Sequence, residues 1–173
     1  RPTYPSIFGR SIIDPRILKN NNFEICPLEV EVLVNGVKMT VSGFPHSSQD
    51  GETIRCAETS IWSVMEYFGN KYPEYSTVLP SKIVSVLRNQ MYHRQTPSSG
   101  LTQMQISYTL KELGFGTKLY TRKNPEDLRR IFHSYIESGI PVIAHIQKGE
   151  INHAVVYIGQ KCTNNEYNVK ERI

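Results

Sequence analysis

At 173 residues, with 39% hydrophobic and 21% charged residues, the chain can bury about 68–70% of its unfolded surface as one domain. Its composition is that of an ordinary globular protein. No run of about 18 apolar residues is present to span a membrane. The net charge of +4 is mild, and the short clusters Arg122-Lys123 and Arg129-Arg130 form no basic stripe of the kind nucleic-acid binding requires. Three cysteines, Cys26, Cys56 and Cys162, are odd in number and far apart. That excludes a disulfide framework and a paired-ligand zinc spacing, and it favours a reducing, cytoplasmic setting. The opening RPTYPSIFGRS has no apolar stretch to serve as a signal peptide, and secretion stays open if a signal was removed before Arg1.

Residues 1–22, rich in Pro, Asn and Arg, read as an extended arm preceding a domain over 23–173. The clearest strand signal follows. Glu29–Val34 and Val37–Val41 flank Asn35-Gly36, the two-residue type I′ hairpin signature. That turn pairs Val34 with Val37, Val32 with Met39 and Val30 with Val41, so all six share one face, expected to pack inward. A polar loop from Phe44 to Arg55 leads to Cys56, where an apolar helical pattern begins: Ala57, Ile61, Met65 and Phe68 recur at spacings of four and three. Gly69-Asn70 is expected to cap that helix.

A short helix is predicted over about 81–90 with Ser81 as its cap, then a loop over 91–100. Thr102 and Gln105 form a T-x-x-Q capping box for the next helix, stopped by Gly114. Lys118–Tyr120 reads as a short strand. Asn124-Pro125-Glu126-Asp127 marks another helix start, with Leu128, Ile131, Phe132, Tyr135 and Ile136 on its buried side and Gly139 at its end. Two apolar strands over 141–146 and 153–158, joined by QKGEIN, are expected to form a hairpin of central strands, and a last strand is expected around 167–170. Helices in the middle and antiparallel strands around them define an α+β fold.

Cys56 is the residue most suited to chemistry. At a helix start unpaired N–H groups and the positive end of the macrodipole favour a thiolate, the reactive form of cysteine. A helix end supplies only roughly 0.3–1 kcal/mol. Lowering a thiol pKa by four or five units needs about 6 kcal/mol, at about 1.36 per unit. A cationic partner is therefore required. Of the five histidines, His46 and His93 fall in polar loops, His133 on a helix and His145 inside an apolar strand. His153 differs because it opens the most apolar strand directly after a loop. The plain alternative is that Cys56 is a small core hydrophobe.

Four segments in order, CAETSIWSVMEYFG, SGLTQMQISYTLKELGF, PEDLRRIFHSYIESGIPVIAHI and HAVVYIG, resemble papain-like cysteine peptidases, most closely the bacterial C39-like branch, over about residues 45–160. The resemblance implies a papain-like fold in which a helical part carrying the nucleophile packs on an antiparallel β-sheet. It implies Cys56 as nucleophile, His153 as base, Gln49 as oxyanion donor and Asn168 as the group orienting the histidine, with no cofactor and no metal. The chain departs from the family at Ala57-Glu58, where Gly-Pro is usual, and at Asn152, where Gly is usual. Gln49 lies seven residues before Cys56, one more than usual; Ser48 or the Cys56 amide are the alternative donors. Asn164 and Asn165 read as turn residues, and the family's Asp beyond Ile173 is the alternative to Asn168.

The expected function is hydrolysis of a peptide or other amide bond in a peptide or protein substrate through a Cys-His pair. The alternative is a degenerate papain-like domain that binds a peptide or protein without cutting it. A third reading is an α+β interaction protein with an inert cysteine.

Overall fold

The computed structural model describes residues 10–15, 23–49, 56–88, 100–121, 124–148 and 151–161. Among these residues the chain forms β1 (Arg10–Ile13), β2 (Phe23–Ile25), β3 (Leu28–Val34), β4 (Val37–Ser47), α1 (Cys56–Lys71) and α2 (Pro80–Leu87). There follow α3 (Gln103–Glu112), α4 (Pro125–Glu137), β5 (Val142–Lys148), β6 (Ile151–Tyr157) and β7 (Gly159–Lys161). Among the described residues every pairing is antiparallel, in three sheets of order β1-β4-β3, β2-β7 and β5-β6. The architecture is α+β.

Local signals act as their chemistry dictates. Asn35 and Gly36 both take positive φ, 49° and 80°, the geometry whose twist suits a two-residue hairpin. The register is Val34 on Val37, Val32 on Met39 and Val30 on Val41. In α3, the Thr102 hydroxyl accepts the Gln105 backbone N–H at 3.3 Å and the Gln105 side-chain Oε1 accepts the Thr102 N–H at 2.9 Å. Asn124 likewise accepts the Glu126 N–H at 3.1 Å to start α4. Gly114 and Gly139 end the two helices at φ 99° and 71°, where a side chain would be strained.

Tertiary contacts overrule other expectations. The valine face of the hairpin does not pack inward: Val32, Val34, Val37 and Met39 are exposed and only Val30 and Val41 are partly covered. The reason is length, since the distal half of the β3–β4 ribbon extends past the elements that cover its base. β4 continues through Ser47 where a loop was expected from Phe44, because β1 pairs with it from Phe44 to Ser47 and the Phe44 ring stacks on Tyr67 at 5.3 Å. Gly69 does not cap α1, which runs on to Lys71. A Cβ there would meet the Thr77 backbone nitrogen at 2.5 Å, so this glycine permits the returning chain to cross the helix.

α2 starts one residue earlier than expected, with Pro80 in its first turn and no side-chain cap at Leu79. Lys118–Tyr120 is not a strand, and its Leu119 and Tyr120 are exposed. The β5–β6 hairpin is longer than the sequence suggests, with Lys148 opposite Ile151. The strand expected around 167–170 lies outside the described residues.

α1 is the centre of the packing. Its residues from Ala57 to Tyr67 are all buried, including Glu58, Thr59, Ser60, Ser63 and Glu66. Ala57, Ile61, Trp62 and Met65 join Ile83, Leu87, Leu101, Ile106 and Ala154 in one core. Tyr67 joins Cys26, Leu28, Phe44 and Ile136 in a second. The helix thus ties the β5–β6 hairpin to the β3–β4 sheet.

The capping box gives a direct check. Thr102→Ala removes one leg of it and is expected to cost about 1 kcal/mol, read as a lower urea midpoint at unchanged slope.

Candidate active site

The position of Cys56 follows from how α1 meets β6. Residues of an antiparallel ladder alternate between those exchanging both hydrogen bonds with the residue opposite and those whose N–H and C=O turn away. Ala154, opposite His145, uses its N–H and C=O on the far side from β5. Its N–H donates to Cys56 Sγ at 3.3 Å, and its carbonyl oxygen lies 3.5 Å from Ser60 Oγ. Ser60 also donates to the Cys56 carbonyl at 2.7 Å. The first turn of α1 therefore sits on the free edge of β6 at one residue.

Cys56 is the first residue of α1 and is half-buried, with part of the residue open to solvent. His153 precedes Ala154, so a single peptide unit separates the histidine from the amide that touches the sulfur. It pairs with Ile146, as the third residue of β6 rather than its opening one. Successive side chains lean to opposite faces of a strand. Ala154 is buried against α1, while His153 is exposed. Among the described residues the His153 ring makes no hydrogen bond. The structure thus brings Cys56 and His153 to one edge without joining their side chains.

The other expected site residues are placed differently. Gln49 lies just past the end of β4, exposed, and among the described residues its amide makes no hydrogen bond to Cys56. Asn168 lies outside the described residues. Glu58, where the resembled family has proline, is 1% exposed; the acid two residues after the thiol is inside the fold and not on its surface.

Of the remaining histidines, His46 is exposed on β4. His133 Nδ1 meets Gln160 Nε2 at 2.7 Å and Glu137 Oε1 at 3.5 Å. His145 Nδ1 meets Gln103 Nε2 at 2.9 Å. His93 lies outside the described residues. Among the described residues, no group of three or more His, Cys, Asp or Glu side chains could hold a metal ion. No described helix is long and apolar enough to cross a membrane.

Sequence reasoning missed Ser60 and the Ala154 amide. The spacing of Ser60 from Cys56, four residues, puts both on one side of a helix, and that was the available signal. Nothing in the sequence marks Ala154, because the edge it presents is created by strand order.

Compared with protein-family models, curated protein sequences and solved structures, the chain matches none.

Cys26 shows what an inert thiol looks like here. It is fully buried, 0% exposed, and burial pushes its pKa from 9.0 up to about 11. The Lys71 ammonium opposes that rise, Glu24 adds to it, and a hydrogen bond with Tyr67 opposes it. A pKa raised by folding means stability that is whole below the unfolded value and lost as pH climbs through the folded one. Between about pH 9 and 11 the wild type is expected to lose on the order of 2 kcal/mol through this group. In urea titrations across that window, Cys26→Ala should show a correspondingly shallower fall.

Proposed function

We propose that the chain is a papain-like thiol hydrolase of peptide or other amide bonds, with Cys56 as nucleophile and His153 as base. One observation carries the reading: the Ala154 N–H on Cys56 Sγ at 3.3 Å, which sets the sulfur at a helix start one peptide unit from a solvent-facing imidazole. A backbone donor on the sulfur and its place at the start of α1 are the features that support a nucleophilic role for Cys56.

In this mechanism the Cys56 sulfur attacks the substrate carbonyl carbon. The oxyanion that forms is held by the Cys56 backbone N–H and a second donor, for which Gln49 is proposed on the resemblance. His153 passes a proton to the leaving amine as the C–N bond breaks, leaving a thioester on Cys56. It then takes a proton from water, which attacks the thioester, releases the acid and restores the thiol. Asn168 is proposed, also on the resemblance, to orient the imidazole.

A second reading, a peptide- or protein-binding domain of the same architecture that does not cut, is favoured by Ala57-Glu58 and by the distance in sequence and contacts between Gln49 and Cys56. Iodoacetamide labelling at about pH 6, followed by mass spectrometry, separates the two. The hydrolase reading expects one fast adduct at Cys56, lost in Cys56→Ala and slowed on the order of 100-fold in His153→Ala. Slow labelling that is unchanged by His153→Ala would select the binding domain.

A further inference from the structure

Ser60 is 4% exposed, and a buried hydroxyl has to justify its desolvation. Its single proton is shared in a three-centre bond, with a short branch to the Cys56 carbonyl at 2.7 Å and a long one to the Ala154 carbonyl at 3.5 Å. Cys56 and Ser60, four residues apart, lie on one side of α1. Both meet Ala154, the sulfur at its N–H and the hydroxyl at its C=O. One such contact would let the turn slide along the strand. Two contacts on one residue fix its depth and its rotation together.

On the reading that Cys56 is the nucleophile, we propose that Ser60 is a positioning residue that holds the first turn of α1 where the Ala154 N–H meets the sulfur. That N–H donates to the charged form of the sulfur and so favours it. The bidentate seat also fixes the sulfur relative to His153, which shares the peptide with Ala154. Hydrophobic packing alone does not supply this. Ile61, Met65 and Ala154 hold the helix against β6, but apolar contacts are non-directional and tolerate the small slide that would break an N–H···S bond.

The titratable side chains next to this seat in sequence or register are Glu58 on α1, His153 on β6 and His145 opposite Ala154 on β5. α2 and α3 turn Ile83, Leu87 and Ile106 toward the same core. Ser60 is neutral, so replacing it adds no charge to that set.

The experiment compares iodoacetamide rates at Cys56 of the full chain at about pH 6 and about pH 10, with melting curves as a folding control. Ser60→Ala is expected to lower the pH 6 rate roughly three- to tenfold. The pH 10 rate should not change. Ser60→Thr keeps a hydroxyl able to bond the carbonyl four residues back and should recover most of the loss. A pH 6 to pH 10 rate ratio unchanged in Ser60→Ala overturns the proposal.

A measurement on the wild type covers the possibility that Ser60→Ala does not fold. The Ala154 amide proton should shift in NMR spectra as the thiol titrates and again on alkylation. An amide that stays fixed through both overturns the proposal without any variant. If the wild type labels fast at pH 6 and depends on His153, yet Ser60→Ala behaves like it, Ser60 alone is dismissed. If labelling is slow and independent of His153, the nucleophile assignment falls and Ser60 with it.

Discussion

The fold turns on a backbone residue with nothing to bond inside its own sheet. Ala154 faces away from β5, and a buried N–H left unmade costs about 1–3 kcal/mol. Elsewhere such an edge would be met by another strand or by water. Here the Cys56 sulfur takes the N–H at 3.3 Å. A neutral thiol is a weak acceptor and a thiolate a strong one, so on the proposal that Cys56 is a nucleophile the demand of the strand edge and the chemistry of the sulfur point the same way. Satisfying the edge and, on that proposal, activating the sulfur are one interaction seen from two sides.

That interaction requires α1 to be held from both ends. Its first half packs with Ile83, Leu87, Leu101 and Ile106, and its second half, through Tyr67, with Cys26, Leu28, Phe44 and Ile136. Tyr67 donates to the Gly139 carbonyl at 2.9 Å and accepts from Lys71 Nζ at 2.7 Å, tying the helix to the end of α4. A helix encased this way cannot drift, which matters because a hydrogen bond to sulfur at the edge of a strand tolerates little displacement. The cost is the burial of Glu58, Thr59, Ser60, Ser63 and Glu66, polar residues that an amphipathic surface helix would turn to water.

What could be read from the sequence were features whose cause lies within a few residues. The positive φ of Asn35 and Gly36, the reciprocal bonds of Thr102 and Gln105, and Asn124 before Pro125 all depend on local geometry. So did the helix beginning at Cys56. Features created by distant pairing were hidden. β1 and β2 exist because β4 and β7 lie beside them, and neither short segment carries an alternating pattern of its own. Gly69 read as a helix stop because the chain that crosses it, at Thr77, is not visible from its neighbours. The valines of the hairpin alternate as buried residues do, yet alternation records which face they share and not whether anything covers it. For the candidate site, the thiol and the histidine were legible by type and order, whereas the amide that seats the sulfur depends on strand order.

Glu58 looks at first like an argument against a charged sulfur, since a carboxylate two residues away should repel it. Helical geometry weakens that objection. Two residues along an α-helix is a turn of about 200°, so Glu58 projects from the side of α1 opposite Cys56, with the helix body between them. Ser60, about 40° from Cys56 by the same count, shares its side and its partner strand. An acid in the first turn also interacts favourably with the positive end of the helix, and it does so wherever it points around the axis. Sequence neighbours are thus sorted by the helix into two roles: the acid supports the helix start from one side, while the thiol and the serine meet the strand on the other. Because α1 is helical from its first residue, an acid at position 58 does not stand against the proposed role of Cys56.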